Sequence, residues 1–282
     1  MTYRSLLVHL DSEPSCAART TLAIELALAM DCHLVGLAPT GLLSMPVAPE
    51  AAAALGQFNA MAWQLLLEQA QLATEHFRAA CQSAGLKSCE ALSDSADTAT
   101  SLVRHAHCSD LVILSQPDPT RAGHGQLRAM VEQALLHSAR PTLLLPYATG
   151  SAAAGERLGS RALVAWDDSR EAARALSDAL PLLRRSDEVH VLSWREGAAA
   201  EPMASRLAAL KQWLAWQGVA AETREEISNI GVAESLLSRA ADLGSDLIVM
   251  GAYGHARWTE RVLGGATRGL LEAMTVPVLM SH

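Results

Sequence analysis

The chain has 282 residues, enough for two domains of ordinary size that each bury a core. Half of the residues are hydrophobic, with Leu, Ala and Val supplying most of the apolar mass and Phe and Tyr scarce, which suits small-residue helices packed on a parallel sheet. The net charge of −8 argues against a nucleic-acid or acidic-membrane partner, for which a broad basic face is expected, while leaving room for a local cationic pocket.

Met1-Thr2-Tyr3-Arg4 leads into the run Ser5–Leu10 with no secretory pattern, and reads as the start of a soluble cytoplasmic protein. That run is a strand ending at Asp11, and an alanine-rich helix follows from about Ser15 to Met30. His33–Leu37 is a second strand. Leu34 to Leu67 carries one charge, Glu50, but Gly36, Pro39, Gly41, Pro46, Pro49 and Gly56 interrupt it, so it does not read as a membrane-spanning helix. A long helix is expected from about Phe58 to Ser83, a weak strand at Ser88–Leu92, a helix from Thr98 to Ala106 and a strong strand at Asp110–Leu114. A helix around Leu127–Leu136 and a strand at Pro141–Leu145 close this half. Residues Thr149 to Gly159 are small and polar and read as a linker between domains at 1–148 and 160–282.

The pattern then restarts. Arg161–Trp166 is a strand ending at Asp167, and Asp168 or Ser169 caps a helix reaching Leu183. Val189–Trp194 is a strand, Pro202–Trp216 a helix, Glu222–Glu226 a weaker strand and Val232–Leu243 a helix. Asp246–Met250 is a buried parallel strand, Thr267–Met274 a helix and Val276–Met280 a last strand. Asp110 stands 31 residues before Pro141, and Asp246 stands 31 before Pro277, so the tails of the two halves align without gaps. Strands alternating with helices at this rhythm predict an α/β chain with two doubly wound parallel sheets.

The five cysteines lie in the first half without CxxC or zinc-like spacing and read as buried thiols. His105 and His107 stand near Cys108, but positions two apart on a helix point to different faces and make a poor metal pair.

The loop from Gly251 to Thr267 concentrates the chemistry. It leaves a strand through Gly251 and Gly254 and enters a helix through Gly264 and Gly265. Glycines let a backbone approach a ligand, and a helix N-terminus offers unpaired N–H groups to an anion, so a phosphate cradle is one reading and simple turns the other. The gapless alignment places Ser115, Asp118, Arg128, Ala129 and Val131 opposite Gly251, Gly254, Gly264, Gly265 and Thr267. Both halves build the same fold and only one supplies glycines, which favours the cradle and assigns it to the second half. Asp167 ends the first strand of that half, where a carboxylate meets a ribose hydroxyl or caps the next helix.

Gly251 and Gly254, then nine residues and Gly264, resemble the phosphate loop of the universal stress proteins. Val164–Ser169 is similar to that family's first strand and acidic turn, and Thr275–Met280 to its last strand. The resemblance covers the chain as a tandem pair. It implies two Rossmann-like domains, each an open five-stranded parallel sheet of order 3-2-1-4-5. It also implies ATP, with Mg2+ as a companion, bound in the second half alone by Asp167, Trp194, Gly251, Gly254, Gly264, Gly265 and Thr267. Gly265 stands where the family commonly has Ser or Thr, with Thr267 two residues on. The resemblance further implies that the strands Pro141–Leu145 and Pro277–Ser281 pair within the chain, and leaves room for a homodimer.

Three functions follow: a stress-response regulator binding ATP, a scaffold using the apolar stretch from Leu34 to Leu67 beside a vestigial nucleotide site, or a weak ATPase. The loop offers His255, Glu260 and Arg261 for hydrolysis, without a Walker lysine.

Overall fold

A computed structural model of the chain describes residues 2–41, 52–121, 123–148, 157–196, 203–228, 231–254 and 265–282. The chain divides into two compact units: Tyr3–Ser115 with Gly125–Ser138, and Gln116–His124 with Ala139–His282. The linker expected at Thr149–Gly159 lies outside the described residues up to 156.

The first unit runs β1 (Ser5–His9), α1 (Ser15–Met30), β2 (His33–Gly41), α2 (Ala52–Ser83), β3 (Cys89–Asp97), α3 (Thr98–Ala106), β4 (Leu111–Ser115) and α4 (His124–His137). Its strands lie in the order β3-β2-β1-β4 with parallel pairing throughout. Leu6, Leu7 and Val8 of β1 and Leu111–Leu114 of β4 have no exposed surface, as strands covered on both faces require. Asp110 pins the start of β1, its Oδ2 accepting the N–H groups of Arg4 at 2.7 Å and Ser5 at 3.0 Å.

The second unit holds β5 (Thr142–Leu145), β6 (Arg161–Ala165), α5 (Arg170–Leu183), β7 (Glu188–Glu196), α6 (Ala204–Trp216), β8 (Glu222–Ser228), α7 (Val232–Asp242), β9 (Leu247–Gly251), α8 (Gly265–Ala273) and β10 (Val278–Ser281). From β8 the order is β8-β7-β6-β9-β10, parallel throughout, which is the expected 3-2-1-4-5. Asp246 repeats the device of Asp110, accepting the N–H groups of Ser160 at 2.9 Å and Arg161 at 3.0 Å. The internal repeat read from the sequence thus extends to individual hydrogen bonds. β5, expected to close the first half, packs in the second unit and pairs antiparallel with β10, Leu143 opposite Leu279. Gln116 ties it there: its N–H donates to Leu145 O at 2.7 Å and its Nε2 to Leu271 O at 2.9 Å.

Several boundaries move. α2 begins at Ala52 rather than near Phe58, because an alanine run is a strong helix former and carries the helix upstream. β3 extends to Asp97, five residues past its expected end, because β2 continues beside it through Gly41. α8 starts at Gly265, two residues before Thr267. Of the apolar stretch, Leu34, Leu37 and Ala38 are core, while Met61, Trp63, Leu65 and Leu67 on α2 are exposed. Only Cys32 and Cys81 are buried. Burial pushes their thiols up to about 11 and about 12, whereas Cys16 and Cys89 are half-buried and Cys108 is exposed. His105 Nε2 meets Asp94 at 3.1 Å and His107 Nε2 faces His137 O at 3.4 Å, so the two rings diverge. Among the described residues no helix is long and apolar enough to cross a membrane.

Candidate functional site

β6 is flanked by β7 on one side and β9 on the other. The chain order reverses there, and a doubly wound sheet opens its ligand crevice at that point, beyond the carboxyl ends of the strands. Past β6, Trp166 N–H donates to Leu192 O at 2.8 Å, prolonging the pairing with β7. Trp166 is buried, and among the described residues its indole Nε1 has no hydrogen-bond partner. Asp167 is exposed, and its Oδ1 accepts Ser169 N–H at 3.0 Å in a tight turn. Asp168 adopts φ +61°, which Asp tolerates, and pairs with Arg206. Ser169, rather than Asp168, caps α5, its Oγ accepting Ala172 N–H at 3.1 Å.

Across the switch point, β9 ends at Gly251. Ala252 N–H donates to Ser281 O at 2.8 Å, and Tyr253 turns through φ +59°. Tyr253 N–H donates to Thr267 Oγ1 at 3.2 Å, fastening the exit of β9 to the first turns of α8. Thr267 is buried, so its hydroxyl serves the loop's own backbone. The matching residue of the first half, Val131, is also buried and has no hydroxyl to offer.

The glycines have local reasons. A Cβ on Gly251 would lie 2.6 Å from Ala172 N and 2.7 Å from the carbonyl carbon of Glu171, both backbone atoms of the first turn of α5. A Cβ on the exposed Gly254 would lie 3.0 Å from Glu171 Oε2 and 3.2 Å from Ser169 Oγ. The inference that the fold does not require these glycines is therefore corrected for Gly251. Three residues separate β6 from the cap at Ser169, whereas four separate β1 from Pro14, the cap of α1. The shorter link draws α5 against β9, and only glycine admits that approach.

Glu171, which the sequence reading overlooked, is 6% exposed. Its Oε1 accepts Arg170 Nε at 2.9 Å and meets Nη2 at 2.7 Å. Burial works against its charge, but a backbone hydrogen bond and the Arg170 guanidinium hold its carboxyl below the ordinary glutamate range. An acidic residue in the first turn of a helix was the available signal. Trp194, read as the end of a strand, instead stands inside β7 opposite Glu226, because β8 carries the ladder on to Ser228. Asp167, Gly251, Gly254 and Thr267 gather at the carboxyl ends of β6 and β9, and Trp194 lies one strand away on β7. Gly265 is the first residue of α8, whereas Gly264 lies outside the described residues, as do His255, Glu260 and Arg261.

The equivalent place in the first unit is filled. Arg19, 1% exposed, donates from Nε to His9 O at 2.8 Å and from Nη1 to Ser115 Oγ at 2.6 Å, and pairs with Asp11 at 2.9 Å. His9 Nδ1 lies 3.2 Å from the same carboxylate. Burial penalises the Asp11 charge, yet Arg19 and His9 more than compensate and hold its carboxyl far below the usual range. Ser115 is the counterpart of Gly251, so a side-chain cluster stands where the second unit has glycine and helix backbone.

Comparison with known proteins places these features. Residues 160–282 match the model of the universal stress protein family. No curated protein matches the chain. Among solved structures, a universal stress protein from Archaeoglobus fulgidus shares 15% identity at a TM-score of 0.75, covering 98% of this chain and 95% of its own. A protein of unknown function from Pseudomonas aeruginosa PAO1 shares 16% identity at a TM-score of 0.57, covering 99% and 92%. A universal stress protein candidate from P. aeruginosa UCBPP-PA14 gives 16% and 0.56, covering 99% and 93%. At these identities the likeness is one of fold.

Proposed function

We propose, from the match of residues 160–282 to the universal stress protein family, that the second unit binds an adenine nucleotide, ATP, and that the chain works as a stress-response regulator rather than a dedicated enzyme. The observation that supports this most is the position of Asp167, two residues past β6, and Gly254, three residues past β9, at the switch point between those strands. Both are exposed, one a carboxylate able to accept from a ribose hydroxyl and the other a backbone bare of side chain. Trp166 Nε1 adds an unspent donor at the end of β6. In the first unit the corresponding place is taken by Arg19, Asp11 and Ser115, which supports one site per chain.

The residues divide by task. Asp167 orients the sugar, Gly254 admits the phosphate chain, and Thr267 holds Tyr253 so that the loop presents its backbone. Titration of ATP into the intact chain by calorimetry should give one site. Gly254→Val should abolish it while leaving the fold intact, since its Cβ contacts are side-chain rather than backbone atoms. Absence of any heat or retained ligand with the wild-type chain would refute the reading. A scaffold role has one observation in its favour, the exposed Met61, Trp63, Leu65 and Leu67 on α2.

A further inference from the structure

The side of Gly254 on which a Cβ would project faces a carboxylate. That Cβ would lie 3.0 Å from Glu171 Oε2, while Arg170 engages the other oxygen, Oε1. A phosphate group drawn to the Gly254 backbone therefore approaches an oxygen of a largely buried carboxylate whose pKa is lowered. The compensating guanidinium belongs to Arg170, which meets Oε1 alone and whose side chain is 81% exposed, so Oε2 is the oxygen left toward Gly254. Two anions at such range disfavour each other unless a cation stands between them. Mg2+ suits the arrangement, since it is held by one or two carboxylates together with substrate phosphates and keeps several waters. Among the described residues no three His, Cys, Asp or Glu form a metal site of their own, so the cation would arrive with the phosphates.

We infer that Glu171 is the specificity-determining residue of this crevice: it admits a nucleotide's phosphate chain as the divalent-metal complex and rejects the metal-free form. This rests on the reading that the crevice takes an adenine nucleotide. Phosphate-free adenosine, which presents no anion to Glu171, should be indifferent to metal.

Calorimetric titrations of the intact chain with adenosine, with ATP in EDTA and with ATP in excess Mg2+ test it. The wild type should bind the Mg2+ complex about tenfold or more tightly than metal-free ATP, with adenosine unchanged between the two conditions. Glu171→Gln, which keeps the shape and removes the charge, should raise the affinity for metal-free ATP and close most of that gap. Equal binding of both ATP forms by the wild type, or a Glu171→Gln chain that keeps the full metal preference, would overturn the inference while the nucleotide reading stands. Failure of every ligand to bind the wild type under both conditions would overturn the nucleotide reading and this inference with it.

Discussion

Replacing Gly251 by alanine tests why the second unit carries glycine at the end of β9. The added methyl would lie 2.6 Å from Ala172 N and 2.7 Å from the Glu171 carbonyl carbon, closer than real Cβ contacts come. Both are main-chain atoms of α5, so no side-chain rotation relieves the contact and the helix must retreat from the sheet. Its buried face, including Ala172, Ala175, Leu176 and Ala179, retreats with it. Overpacking of this kind costs about 1–3 kcal/mol. Alanine also lowers the entropy of the unfolded chain, which offsets about 0.4–1 kcal/mol. The net expectation is a loss of about 1–2 kcal/mol, or about 3–10 °C in Tm for a domain of this size. Urea unfolding followed by tryptophan fluorescence reports mainly on the second half, which holds five of the six tryptophans, at 166, 194, 213, 216 and 258. Gly254→Ala is the internal comparison. Its nearest contacts are side-chain atoms of Glu171 and Ser169 rather than backbone, and its stability should stay within about 0.5 kcal/mol of the wild type. A Gly251→Ala midpoint indistinguishable from the wild type, or a Gly254→Ala chain that is the weaker of the two, would refute the packing argument.

Arg19→Met leaves the Asp11 carboxylate largely buried beside His9 and should cost about 2–4 kcal/mol at pH 7. The folded pKa of Asp11 is depressed, so its contribution is present above the unfolded value, near 4, and fades as pH falls toward the folded one. The difference between Arg19→Met and wild type in urea should therefore shrink from pH 7 to pH 3, and an equal loss at both values would contradict the account. Thr267→Val removes the acceptor for Tyr253 N–H and should destabilise the second unit by about 1–2 kcal/mol, with Thr267→Ser restoring most of it. A valine variant that is fully stable yet fails to bind nucleotide would instead assign the hydroxyl to the ligand.

The architecture was largely legible from residue order. The all-apolar runs at Leu111–Leu114 and Leu247–Met250 are strands buried on both faces, and such runs interleaved with helices leave few alternatives to a parallel sheet. The equal spacing of Asp110 to Pro141 and Asp246 to Pro277 announced the repeat, and the two aspartates prove to make the same pair of backbone contacts in each half. Strand ends were less legible, because β3 and β7 run on for as long as a neighbouring strand offers partners, and pairing partners are distant in the chain.

The candidate site was legible in outline only. The glycines, Asp167 and Thr267 are visible as residue types at a strand–loop–helix junction, since strand exits and helix entries are local properties of the chain. What each does there depends on groups far away in sequence. Gly251 is needed because a linker one residue shorter brings the start of α5 against it. Thr267 is occupied because Tyr253, fourteen residues earlier, turns its N–H toward the hydroxyl. The contrast between the halves was read as glycines present or absent. In three dimensions it is a contrast between helix backbone packed on Gly251 and a guanidinium lodged against Ser115. Residue types and their spacing carry the periodicity that builds each layer. The electrostatics of the crevice, above all a buried Glu171 facing Gly254, arise only when β6, β9 and α5 converge, because charge interactions follow distance in space and not along the chain.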